Sequence, residues 1–108
     1  MTDALIVLTT VDSEDLALKI SSALVEGRLA ACVNMISPVR SIYRWKDKVH
    51  DDREMILMIK TMAHNFTEVR DLIRELHTYE LPEIIAYSVD AADERVVEWI
   101  SGSVKPRP

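Results

Sequence analysis

The stretch Ala30-Ala31-Cys32-Val33-Asn34-Met35-Ile36-Ser37-Pro38-Val39-Arg40-Ser41-Ile42-Tyr43-Arg44-Trp45 decides how this 108-residue chain folds. It reads as two strands, Leu29 to Ile36 and Arg40 to Lys46, broken at Ser37-Pro38 because proline donates no ladder hydrogen bond. Its apolar residues exceed what one small domain buries alone. Leu5 to Leu8, Met55 to Ile59 and Ile84 to Tyr87 behave alike: they are too short for helices and lack the alternation of a strand wetted on one face. Such strands need cover on both sides.

Upstream, Asp12-Ser13-Glu14-Asp15 favours a helix N-terminus, Leu16, Ile20, Ala23 and Leu24 form one face, and Gly27 stops the helix. Downstream, the polar segment Asp47 to Asp52 turns the chain, with Asp47 and Lys48 at its centre, into a strand from Arg53 to Thr61. A second helix starts at Asn65, where Glu68 completes a capping box. Its buried stripe is Val69, Leu72, Ile73 and Leu76, and it ends near His77-Thr78-Tyr79. After Leu81-Pro82-Glu83 come a strand from Ile84 to Val89 and a short helix from about Asp93 to Ser101, with Val96, Val97 and Ile100 inward.

The order β-α-β-β-α-β plus a C-terminal helix predicts an α+β, ferredoxin-like sandwich with two helices on one face of an antiparallel sheet. Residues 1–104 form a single domain, and Lys105-Pro106-Arg107-Pro108 is expected to be a flexible tail. One short C-terminal helix shields only part of the second sheet face. Self-association through the sheets is the simplest way to cover the rest.

A formal net charge of -5 and an isoelectric point near 5.1, with no basic cluster, argue against a nucleic-acid partner. No run approaches the roughly 20 apolar residues of a membrane span. The N-terminus enters a strand directly, without targeting features, so a cytoplasmic protein is expected. The lone Cys32 rules out an internal disulfide and suits a reducing compartment. With Gly27 and Gly102 the only glycines, there is no phosphate loop and no dinucleotide fingerprint, hence no organic cofactor.

His50, His64 and His77 lack the spacing of a closed metal site. His77 stands out, because the turn through Tyr79, Pro82 and Glu83 could hold its imidazole beside a carboxylate. A histidine that merely favours a helix C-terminus is the alternative. Tyr43 and Trp45 share a sheet face and could line a groove or a subunit contact. Lys60 closes an apolar run and needs a partner, with Glu54 and Glu83 the candidates. An enzyme would have to use Lys60 and Glu83 as acid and base, and no motif names a substrate, so a non-catalytic protein is expected.

Taken together, Arg28-Leu29-Ala30-Ala31-Cys32-Val33-Asn34, Pro38, Ser41-Ile42-Tyr43, Trp45, Lys48, Glu54, Lys60-Thr61, His77, Tyr79, Pro82-Glu83 and Trp99 resemble the CutA family of divalent-cation-tolerance proteins. The resemblance spans nearly the whole chain in order. It implies a homotrimer of ferredoxin-like subunits, packed edge to edge around a threefold axis and shaped like the PII signalling proteins, with clefts between subunits. It also implies a role in tolerance of copper or another divalent metal. His77, Glu83 and Cys32 are then candidate metal ligands, and Asn34, Tyr43, Trp45, Lys60 and Tyr79 candidate lining of a ligand cleft. A PII-like signalling or scaffold trimer, sensing a metabolite or contacting a protein partner through Asp47 to Asp52, is the alternative. Departures from the family pattern are Asp47, Thr78, Ala92 and Val96. Where some members are thought to bind copper through a cysteine and a histidine pair, this chain has Thr9, Leu76 and His77.

Overall fold

Four strands and three helices follow one another in a computed structural model that describes residues 2–108: β1 (Ala4–Val11), α1 (Glu14–Glu26), β2 (Cys32–Trp45), β3 (Lys48–Met62), α2 (Phe66–Leu76), β4 (Ile85–Ser88) and α3 (Glu94–Ser103). A 3-10 turn over Ala63–Asn65 leads into α2. The strands form one antiparallel sheet in the order β2-β3-β1-β4. Helix α1 begins where Ser13 accepts a hydrogen bond from the Leu16 amide, with Glu14 and Asp15 in its first turn.

Register and burial separate the two sheet faces. Val7, Val11, Leu57 and Ile59 lie on one face and are sealed by Ile20 and Leu24 of α1 and Val69 and Ile73 of α2. On the opposite face α3 covers one end, where Ile100 and Val104 pack on Ala4 and Met62. The rest of that face stays open. Alternation from Ala4 and Met62 places Ile6, Leu8, Ile56, Met58, Ile85 and Tyr87 there, and Ile85 and Tyr87 are 44% and 56% exposed. No helix among the described residues is long and apolar enough to cross a membrane.

Several sequence expectations change. Strand β2 is not broken at Ser37-Pro38 but passes through it with a register irregularity between Ile36 and Val39. Proline is accommodated because β2 is an edge strand and need not donate on both sides. Leu29 and Ala30 are buried in the core before the strand begins. The polar segment Asp47 to Asp52 is mostly ladder, and the turn is centred on Lys46 and Asp47 rather than Asp47 and Lys48. Trp45 pairs with Lys48, so a two-residue loop joins the strands, and Lys46 and Asp47 both take positive φ (50° and 63°). Those are the angles of a primed hairpin turn, whose twist matches that of the strands.

The capping box at Asn65 is absent: its side chain makes no cap hydrogen bond and instead donates to the Lys105 carbonyl. Val96, expected inside, is 44% exposed, because the inward stripe of α3 centres on Ile100. Lys105, placed by sequence in a flexible tail, is held by the Arg28 carbonyl at 2.8 Å and by His64 and Asn65.

Candidate functional site

The β2–β3 hairpin outruns the end of β1, and the loop after α2 folds back against its base. Between them lies an open cleft of about 860 Å³, lined by Tyr43, Trp45, Asp52 and Glu54 of the hairpin, Asp12 of the β1–α1 connection, and Tyr79, Glu80 and Glu83 of the loop. The sequence sets this up simply. Odd residues of β2 beyond the irregularity pair with even residues of β3, so Tyr43 and Trp45 share a face with His50, Asp52 and Glu54.

His77 holds the loop in place. The Tyr79 amide donates to His77 Nδ1 at 3.1 Å, which requires that nitrogen to be bare; Nε2 therefore carries the hydrogen and donates to the Thr10 carbonyl at 2.7 Å. Both ring nitrogens are used within the chain. The ring also lies against Tyr79, 4.5 Å between centroids. Tyr79 in turn donates its hydroxyl to Glu54 Oε2 at 2.6 Å, and Tyr43 donates to Asp52.

These phenol–carboxylate pairs hold the hydroxyl protons. Burial and the bond to Glu54 push the Tyr79 phenol well above the ordinary tyrosine range. The bond to Asp52, with desolvation and the negative charge of Asp52 and Glu54, pushes Tyr43 up to about 12. Tyr43 stacks on His50 across the hairpin, 5.1 Å between centroids. Arg40 clamps Asp51 through two bonds of 2.8 and 2.6 Å and holds that carboxyl below its usual range.

Apart from His77, which positions the loop but is not in the cleft lining, the candidate residues fall into two groups. Tyr43, Trp45, Tyr79 and Glu83 meet in the cleft. Cys32, Asn34 and Lys60 lie elsewhere on the open face: Cys32 and Lys60 are cross-strand partners, and Cys32 Sγ is 3.7 Å from Asn34 Oδ1. Lys60 sits six positions along β3 from Glu54, roughly 20 Å at strand rise. Neither carboxylate proposed for Lys60 pairs with it among the described residues. Within the chain no three of the described His, Cys, Asp and Glu residues converge as a metal cage. His64 bonds the Lys105 carbonyl.

Sequence reasoning named Glu54 as a partner for Lys60 and among the residues that carry the family resemblance, but not as a cleft residue, and it placed Asp12 at a helix start and Asp52 in a turn segment rather than in a site. The alternation His50, Asp52, Glu54 opposite Tyr43 and Trp45 is the signal that could have placed Asp52 and Glu54 there. Asp12 joins only through tertiary folding.

A comparison with family models supplies the decisive observation: residues 5–103 match the CutA1 divalent ion tolerance protein. The chain belongs to the CutA1 family. It is 42% identical over 95 residues to the divalent-cation tolerance protein CutA of Thermus thermophilus, covering 88% of this chain and 92% of that one. To human protein CutA it is 41% identical over 91 residues, covering 84% of this chain and 51% of the human one, so it spans about half that relative's length. The structure of the Thermus thermophilus divalent cation tolerance protein superposes with a TM-score of 0.92 at 39% identity, covering 94% of this chain and 99% of that one. The crystal structure of CutA from Xylella fastidiosa gives 0.93 at 34% identity, covering 96% and 100%. Within this CutA1-family chain, the three positions that the resemblance links to copper are a fully buried Thr9, a Leu76 packed on the main core, and the doubly engaged His77.

Proposed function

We propose that this chain forms a cytoplasmic homotrimer of ferredoxin-like subunits that acts, without catalysis, in tolerance of or response to divalent metal ions such as copper, binding metal or a small ligand in clefts between subunits. The open apolar sheet face carries this reading. Half-exposed Ile36, Ile85 and Tyr87 on that face gain roughly 25 cal/mol for each Å² they bury against another copy. Membership of a family named for divalent ion tolerance supports the metal role, and the unpaired Cys32 suits a reducing compartment.

Cys32 and Glu83 are the proposed metal contacts, each completed by groups from a neighbouring copy. His77 joins them only by giving up its bond to the Thr10 carbonyl. Light scattering of the purified protein tests the assembly: a trimer mass is expected, and Ile56→Lys on the open face should lower it to that of one chain. Calorimetry with Cu²⁺ tests the metal role, where Glu83→Gln and Cys32→Ser should each weaken binding. A well-behaved single chain at micromolar concentration would overturn the assembly, and unchanged isotherms would overturn the contacts.

A further inference from the structure

We propose that the cleft around Glu54 takes an aliphatic polyammonium, a ligand whose protonated amines are spaced along a methylene chain. The proposal rests on the reading of this protein as a binder of metal or small ligands and names a ligand class for one of its sites.

Charge sets the sign of the ligand. Asp12, Asp52, Glu54 and Glu83 line the cleft and make no ion pair among the described residues; of the two arginines in the lining, Arg40 is clamped to Asp51, and Arg53, likewise without an ion pair, leaves the carboxylates in excess. Glu54 matters most, because it is only 8% exposed and its side chain is met by the Tyr79 hydroxyl alone. A carboxylate withdrawn this far from water is costly unless a cation or several donors reach it. An anionic ligand would meet repulsion here.

The walls set the ligand's character. Tyr43, Trp45 and Tyr79 offer ring surface on which methylenes pack and ammonium groups are attracted. The chain already demonstrates the chemistry at the cleft's rim: the Lys46 ammonium sits 5.6 Å from the Trp45 ring centroid and 3.0 Å from Glu80 Oε2. That is an alkylammonium held between an aromatic ring and a carboxylate, built from the protein's own residues. A compact divalent ion asks for several oxygens at one point. Here the carboxylates are spread along the cleft, and no three described donors converge. Separated negative charges joined by ring surface match separated positive charges joined by methylenes.

The test uses the full chain in its native assembly, titrated with spermidine by calorimetry at low ionic strength, with Cu²⁺ titrated in parallel. Saturable spermidine binding that weakens as salt is added is expected. Glu54→Gln should weaken it about tenfold, the scale of one charge-assisted contact. Lys46→Gln should strengthen it by removing the internal competitor. Should Glu54→Gln fail to fold, Asp52→Asn and Lys46→Gln carry the same opposed expectations. Saturable Cu²⁺ binding without spermidine binding overturns the proposal and leaves the broader reading standing, whereas absence of both overturns both. Spermidine binding indifferent to all three substitutions also overturns it, because the cation would then be held elsewhere.

Discussion

Tyr79 donates its phenolic hydrogen to Glu54 Oε2 across 2.6 Å, tying the loop after α2 to the base of the β2–β3 hairpin. Glu54 is buried and makes no ion pair among the described residues, so this bond meets a carboxylate oxygen that water reaches poorly. Tyr79→Phe keeps the ring and removes only the donor. It should cost about 1–3 kcal/mol, the range for leaving a buried acceptor unsatisfied. Urea denaturation checks this, and an unchanged midpoint would mean that solvent or another subunit satisfies Glu54.

Tyr43 gives a pH expectation with a definite sign. Its phenol loses a proton near 10 when unperturbed and only at about 12 in the folded chain, chiefly because Asp52 accepts its hydrogen bond. The folded state therefore binds that proton more tightly. The resulting stability is fully present below about pH 10 and is lost as pH climbs towards 12. Alkaline titration followed by phenolate absorbance should show this late transition, and Asp52→Asn should move it back towards 10. A titration of Tyr43 unaffected by Asp52→Asn would remove the hydrogen bond as its cause.

The strands, both long helices and the crowded apolar face were legible in the sequence because they depend on local periodicity and run composition. Leu5 to Leu8 and Met55 to Ile59 could bury both faces only inside a sheet, whatever the rest of the chain did. Asn65 defeated the same reasoning. Its local context reads as a helix cap, yet the Lys105 carbonyl, 40 positions away, takes its side chain. The site divided along the same line: Tyr43 and Trp45 could be grouped by alternation, whereas the bonds from His77 to Thr10 and from Tyr79 to Glu54 exist only after the loop folds against the hairpin.

The two glycines separate steric need from backbone entropy. A Cβ on Gly27 would lie 2.9 Å from the Ala23 carbonyl oxygen, the same oxygen that accepts the Gly27 amide at 3.0 Å. Gly27→Ala must therefore disturb the end of α1 and should destabilise by about 1–2 kcal/mol. Gly102 meets nothing within 4 Å and lies within α3. Gly102→Ala should stabilise by about 0.4–1 kcal/mol through helix propensity and a less flexible unfolded chain. Paired chemical denaturation checks both. Effects of the same sign would show that the α1 terminus yields without cost or that α3 ends before Gly102.

The C-terminal segment is a strap held by its backbone rather than by its charges. The Lys105 amide bonds the Arg28 carbonyl at 2.8 Å, and the Lys105 carbonyl accepts from His64 Nε2 at 2.8 Å and from Asn65 Nδ2 at 3.2 Å. By contrast, its side-chain pair with Glu68 spans 3.4 Å between half-exposed groups, the kind of contact that contributes little. The Arg107–Asp3 pair, 3.1 Å between groups still more exposed, is of the same weak kind. Lys105→Ala preserves every backbone bond and should leave the unfolding midpoint nearly unchanged. Ending the chain at Val104 removes them all together with the exposed Arg107–Asp3 pair, strands the Asn65 amide and the Arg28 carbonyl, and should cost about 1–3 kcal/mol, chiefly from the stranded groups. Hydrogen exchange should then report faster opening at Arg28 and through the 3-10 turn that precedes α2. If Lys105→Ala destabilises as much as the truncation, the ion pair holds the strap and the backbone account is wrong.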